Sequence, residues 1–284
     1  MIFVGIMVLG FSGVVGAGKL IPVSDKAKEN GRADNSSVIT KGNGGLSLNT
    51  PGLEKVVLIH YKKGYGRVCD YDGICEPEIG ENPSCADCKK EKEEPEEPTT
   101  ACYAFLDKWA KWKDLPVDYV IDPDNDDGLS DEFVAITMSA GAEEWNNHIS
   151  EDLFGSYSID YDLSWDSDAP DGRNELLFGD YPQEGVIAVA IVWGYFAGPP
   201  GQRKIIEFDI LFDTDFTWGN ATVNPEVMDL QNIATHELGH GAGLADLYDT
   251  VCAEETMYGY SENGETKKRD LNAGDIIGIQ ALYD

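Results

Sequence analysis

The residues best suited to chemistry lie in THELGHGAGLAD, positions 235–246. His236 and His240 are four apart, so on a helix both imidazoles project from one face and can share a single ion. Glu237 stands beside them, a carboxylate able to take a proton from an attacking water. Gly241 and Gly243 follow, and a glycine there can adopt a positive φ, ending the helix and turning the chain back. The turn would deliver Asp246, six residues past the second histidine, as a third ligand. Two imidazoles and one oxygen, with a fourth position open to water, suit a catalytic zinc ion. Of the four histidines only His60 and His148 remain. The first falls in an N-terminal strand and the second at the end of a helix, so a third imidazole ligand is not expected. An ordinary surface helix is the competing reading of the HExxH string alone; the glycine break and Asp246 set this string apart.

The elements that must position these residues are legible in outline. Asn224-Pro225-Glu226 supplies a cap, a first-turn proline and an early acid, and predicts the start of the helix carrying the motif. Another helix is expected from about Ser130, capped by Ser130 or Asp131, to about Ile149, with Val134, Met138, Ala142 and Trp145 on one face. A last helix over 272–283 closes the chain. Strands are expected at 54–64, 115–123, 186–196 and 204–212; in the last, Ile206, Phe208, Ile210 and Phe212 alternate with more polar neighbours. Residues 160–174 read as an acidic loop, and there is no internal repeat.

Residues 1–17 are apolar and uncharged, and Val15-Gly16-Ala17 offers small residues for cleavage. The segment reads as a secretory signal peptide, although no Lys or Arg precedes it; an uncleaved anchor is the alternative. GVVGAGKL nearly matches a phosphate-binding loop, but Leu20 stands where that loop needs Ser or Thr. Residues 18–53 read as a flexible linker or propeptide segment and 54–88 as a small disulfide-rich module. Residues 89–100 form a charged, proline-punctuated linker, and 101–284 a catalytic domain. With 52 acidic against 21 basic residues the formal charge is −31. Such a surface repels phosphate backbones, which excludes nucleic acid as a partner, and favours hard cations.

Export makes the six cysteines readable as disulfides. Cys69, Cys75, Cys85 and Cys88 crowd together, whereas Cys102 and Cys252 lie far apart. The economical pairing is two local bridges and a long one between Cys102 and Cys252; the alternative joins Cys102 to the upstream cluster. Asn35 and Asn220 begin NxS/T sequences compatible with an extracellular surface. Asp122, Asp124, Asp126 and Asp131 in DPDNDDGLSD could wrap a calcium ion, with Gly128 easing the turn. Asp127 takes the place of the EF-hand glycine and no acid closes the loop, so a helix-capping acidic loop is the alternative. Asp160, Asp162, Asp166, Asp168 and Asp171 read as a solvated loop. Asp70, Asp72 and Glu81 are further calcium candidates, against a metal-free disulfide-held module.

The string HExxHxxGxxD resembles the extended motif of the metzincin peptidases, in the less common version ending in Asp. ETMYGY (255–260) looks like their Met-turn, and LNAGDIIGIQALYD (271–284) is similar to the terminal helix of the matrixin branch. Tyr258 directly follows the methionine, as in matrixins; Gly259 stands where astacins and serralysins have a metal-contacting tyrosine. The resemblance covers about residues 101–284. It implies an α+β, zincin-like domain with a twisted mixed five-stranded sheet, an active-site helix, a Met-turn placing Met257 beneath the metal, and a C-terminal helix. It further implies Zn2+ as cofactor, peptide-bond hydrolysis with Glu237 as base, and protein or peptide substrates lying extended along a sheet edge. Residues 186–194 are the candidate edge, a buried strand being the alternative. The sequence departs from matrixins in its Asp246, in lacking histidines for the usual structural zinc, and in lacking a PRCGxPD thiol switch. GRVCDYD (66–72) is the nearest string, but Cys69 has a local disulfide role. The expected protein is a secreted, monomeric zinc endopeptidase, with the N-terminal module as a candidate cell-envelope contact. The alternatives are a zinc-bearing binding or anchoring protein without proteolytic activity, which would be expected to lose Glu237, and a protein whose N-terminal module is the main function.

Overall fold

The computed structural model describes residues 38–40, 52–65, 101–106, 109–165 and 168–284. The expected signal peptide, the four clustered cysteines and the 89–100 linker lie outside these residues. Five strands form a mixed sheet: β3 (Val117–Ile121), β4 (Phe154–Ile159), β5 (Glu175–Gly179), β6 (Val186–Tyr195) and β7 (Lys204–Asp213). Strands β4, β3, β5 and β7 run parallel in that spatial order, and β6 lies antiparallel beside β7. Two of them carry no readable period. In β4 only Phe154 is fully buried, and β5 is short. Strand β7 departs from the half-polar expectation, because Glu207 and Asp209 are buried as well. Desolvation pushes their carboxyls up to about 7 and about 9.

The sheet is larger than the five strands expected. β2 (Glu54–Lys62) pairs antiparallel with β6 from Glu54↔Gly194 to Tyr61↔Val186. β1 (Val38–Thr40) adds antiparallel to β2, and β10 (Tyr260–Ser261) adds parallel to it, giving eight strands among the described residues. The expectation that residues 54–88 form a module apart from the catalytic domain therefore fails for their first strand. The reason is its composition. Val56, Leu58 and His60 are buried on one face, and on the other Val57, Ile59 and Tyr61 pack against Val189, Ile191 and Trp193. A strand apolar on both faces needs a place inside a sheet, and the charged linker after it separates the segments in sequence, not in space. A small separate pair, β8 (Trp218–Gly219) with β9 (Met228–Asp229), precedes the central helix.

Three helices complete the fold. In α1 (Asp131–Asn146) the Ser130 hydroxyl accepts from the Phe133 N–H at 3.2 Å, and Val134, Met138, Ala142 and Trp145 are buried. It stops before Ile149 because the Asn146 side chain turns to bond Leu153 and Phe154 backbone. The central helix α2 (Leu230–Ala242) starts later than expected: Asp229 is its cap, accepting from Asn232 N–H, while Asn224 closes only a local turn onto Glu226. Every residue of α2 except Gln231 is buried. α3 (Ala273–Tyr283) begins with a capping box between Asn272 and Asp275. No helix among the described residues is long and apolar enough to cross a membrane.

Candidate metal centre

Helix α2 carries His236 and His240 one turn apart on its inner face, both fully buried. The Nδ1–H of His236 donates to the Thr256 carbonyl at 2.6 Å, and the Nδ1–H of His240 to the Leu244 carbonyl at 3.0 Å. A carbonyl can only accept, so these bonds fix the proton on Nδ1 and leave Nε2 of each ring as a bare lone pair. The helix ends at Gly243, which has φ 105° and returns its N–H to the carbonyls of Gly239 and His240. A Cβ there would sit 2.8 Å from the Ala110 carbonyl oxygen as well as straining the backbone. Gly241, expected to share in breaking the helix, lies within it.

The reversal brings Asp246 back to the two rings. Its Oδ1 is 3.2 Å from His236 Nε2 and 3.4 Å from His240 Nε2, and its Oδ2 accepts from the Tyr248 hydroxyl at 3.0 Å. None of the three converging atoms has a hydrogen-bond partner. Buried lone pairs aimed at one another are unfavourable alone and are what a divalent cation requires. The donor set therefore fits zinc. Burial holds the His236 imidazole down to about 3; at His240 the burial penalty is outweighed by the Asp246 carboxylate, which raises that ring's pKa; and for Asp246 the burial penalty is outweighed by His240 and His236, which keep the carboxyl well below its usual range.

Met257 packs under this centre. A Cβ on Gly239 would fall 2.3 Å from the Met257 sulfur and 2.6 Å from the Trp145 ring, so the close approach requires glycine. The turn bearing Met257 is held from α3: the Asp275 carboxylate accepts from the Thr256 and Met257 N–H groups at 2.6 and 3.1 Å. Glu255 reaches back to the Gly274 and Asp275 N–H groups. Cys102 and Cys252 form a disulfide that ties the segment before α1 to the loop between Asp246 and Met257.

Glu237 is fully buried, with its carboxyl pushed up to about 8 chiefly by desolvation. Its Oε1 accepts from His60 Nδ1–H at 3.0 Å, and its Oε2 has no partner. His60 was expected away from this centre. Its ring instead lies 4.0 Å from that of His236, with Nε2 at 3.0 Å from Ser261 Oγ and 3.2 Å from the buried Lys268 Nζ. Burial and the neighbouring His236, Lys268 and His240 hold its pKa well below that of free histidine, so the ring is neutral. His148, in the turn just past the end of α1, bonds Glu144 and takes no part. Three side-chain groups among the described residues could hold a metal: His236–His240–Asp246, His60–His236–Glu237 and Asp180–Asp213–Asp215. Asp122, Asp124, Asp126 and Asp131 do not form such a group; the acids that do meet, Asp180, Asp213 and Asp215, come from the residue after β5 and from the end of β7 and the turn behind it, too far apart in sequence to be read as one motif.

Residues 182–284 match the family model described as Matrixin, so this part of the chain is matrixin-like; matrixins are zinc-dependent with structural calcium. The chain is 36% identical to matrix metalloproteinase-16 of Homo sapiens over 89 residues, 31% of the chain and 13% of that protein. To neutrophil collagenase of Homo sapiens it is 38% identical over 84 residues, 30% of the chain and 16% of the relative. Metalloendoproteinase 1-MMP of Arabidopsis thaliana is 26% identical over 191 residues, 65% of the chain and 48% of the relative. The chain thus spans less than half the length of these curated relatives.

Proposed function

We propose that this protein is an exported zinc endopeptidase acting on protein or peptide substrates. The observation that carries the reading is the convergence of His236 Nε2, His240 Nε2 and Asp246 Oδ1, all buried and unpartnered, beside the carboxylate of Glu237. Those three residues would hold the ion, and Met257 supports them from below. Bound there, zinc supplies Lewis acidity toward a peptide carbonyl and toward water. Glu237 is the base: its free Oε2 takes the proton of the attacking water and returns it to the departing amine. The low dielectric around it raises its proton affinity toward neutrality, which suits a group that must both accept and release a proton. Tyr248 orients Asp246, and Thr256 and Leu244 orient the two rings. Export is supported by the apolar residues 1–17 and by the Cys102–Cys252 disulfide.

The test is metal analysis combined with digestion of a broad peptide library, on the wild-type chain freed of residues 1–88 and on Glu237→Ala. One zinc per chain is expected in both, with hydrolysis reduced by about a thousandfold or more in the variant. Activity within tenfold of wild type would remove Glu237 from this role, and absence of zinc from both would overturn the reading.

A further inference from the structure

The turn that carries Met257 is fastened to α3 by two carboxyls, those of Glu255 and Asp275, which are 8% and 1% exposed. Asp275 Oδ2 accepts from the Thr256 and Asn272 N–H groups at 2.6 and 3.0 Å, and its Oδ1 from the Met257 N–H at 3.1 Å. Glu255 Oε2 accepts from the N–H groups of Gly274 and Asp275 at 2.9 and 3.2 Å. The two side chains are also hydrogen-bonded to each other. Ionised carboxyls offer acceptors only, so this last contact requires a proton. Oε2 of Glu255 already takes two N–H groups, which leaves its Oε1 to carry the proton and donate to Asp275.

The N–H groups and the positive end of α3 favour one negative charge at this place. Burial opposes a second and raises both groups above the ordinary carboxylate range; at Glu255 the Asp275 charge adds to the rise. Among the described residues no cation bonds either carboxyl. On the turn before α3, Lys267 pairs with Glu254 and Glu265, Lys268 faces His60, and Arg269 is held by Asp229 with Asp270 beside it. From α1, Glu144 is taken by the Leu271 N–H and by His148. Cys102, which abuts Gly274, is disulfide-bonded, and His236 meets this turn through the Thr256 carbonyl.

We propose that Glu255 and Asp275 form a pH-sensitive latch, sharing one proton that fastens the Met257 turn to α3 beneath the metal centre. With the proton in place the turn keeps Met257 against Gly239 and the Thr256 carbonyl on His236. As the pH rises the proton passes to solvent, two buried carboxylates face each other, and their repulsion drives the turn off α3. A carboxyl whose pKa is raised in the folded chain contributes stability at low pH that is lost as the pH rises through the folded value. The latch therefore sets an alkaline limit to metal retention, whether or not the site cleaves peptides.

The experiment follows the melting temperature and the rate of zinc loss to a chelator from about pH 6 to about pH 9, for the zinc-loaded full chain and for Glu255→Gln. Glutamine keeps an oxygen for the α3 N–H groups and an N–H for Asp275, but has no proton to lose in this range. Wild type should lose zinc about tenfold faster at the upper pH, and Glu255→Gln should change by less than about threefold. Deprotonation of the ligand imidazoles acts in the opposite direction, slowing zinc loss as the pH rises. Over the same range the melting temperature of wild type should fall by about 5 °C more than that of the variant. In parallel, NMR of labelled carboxyl carbons in wild type should show Glu255 titrating above the ordinary carboxylate range, in step with Asp275. Equal pH dependence in the two chains overturns the proposal, as does a Glu255 signal that titrates at an ordinary carboxylate pKa. If Glu255→Gln does not fold, the wild-type carbon signals decide. A chain that takes up no zinc sinks the metal reading, and the melting curves and carbon signals still decide for or against the latch.

Discussion

At residues 236–246 each donor atom is held from behind: Thr256 and Leu244 carbonyls fix the rings, and the Tyr248 hydroxyl fixes Asp246. Three of the acids of residues 122–131 accept hydrogen bonds in separate directions instead. Asp122 accepts from the Asp124 N–H, Asp127 from the Trp218 N–H, and Asp131 from the Tyr161 hydroxyl. Both stretches have ligand chemistry in abundance. What separates them is that in the first the hydrogen bonds leave one lone pair per residue aimed at a common point, whereas in the second the carboxylates bond different partners and do not converge.

Three substitutions can break or sharpen this contrast. Asp246→Ala should lower zinc affinity by a hundredfold or more, measured by metal retention against a chelator, while Asp246→His should keep the ion, since an imidazole nitrogen also suits zinc. Retention unchanged in Asp246→Ala would mean that another residue is the ligand. Tyr248→Phe removes only the hydroxyl that orients Asp246, and about a tenfold loss of zinc affinity is expected with the fold unchanged. An affinity equal to wild type would show that the carboxylate needs no such support. Asp124→Asn combined with Asp126→Asn should change stability by less than about 0.5 kcal/mol, with and without added calcium. A calcium-dependent fall in melting temperature in that double variant would place an ion in the 122–131 loop after all.

The sequence makes plain whatever is local. His236, Glu237, His240 and Asp246 follow from helical spacing and a glycine turn, and α1 and α3 follow from Ser130 and Asn272 as caps. The start of α2 was misplaced because Asn224-Pro225-Glu226 satisfies its own turn, leaving the cap to Asp229. His60 and Lys268 were hidden for a different reason. They reach Glu237 and each other across 177 and 208 residues, through strand pairings that no local period announces. Asp275 left one trace, as the third helical residue of a capping box after Asn272, but its grip on the Met257 turn depends on packing between segments.

The Cys102–Cys252 bond closes a covalent ring across a sequence separation of 150, and His236, His240 and Asp246 all lie inside it. With these two of the six cysteines joined, any further disulfide within the chain must form among the other four. A backbone nick inside the ring leaves both pieces attached, so a nonreducing gel would still display one band. A nick within residues 89–100 falls outside the ring and severs a tail that includes β2, held thereafter by hydrogen bonds and packing alone. The position of one bond thus divides the molecule into a part that survives clipping as a unit and a part that clipping can shed.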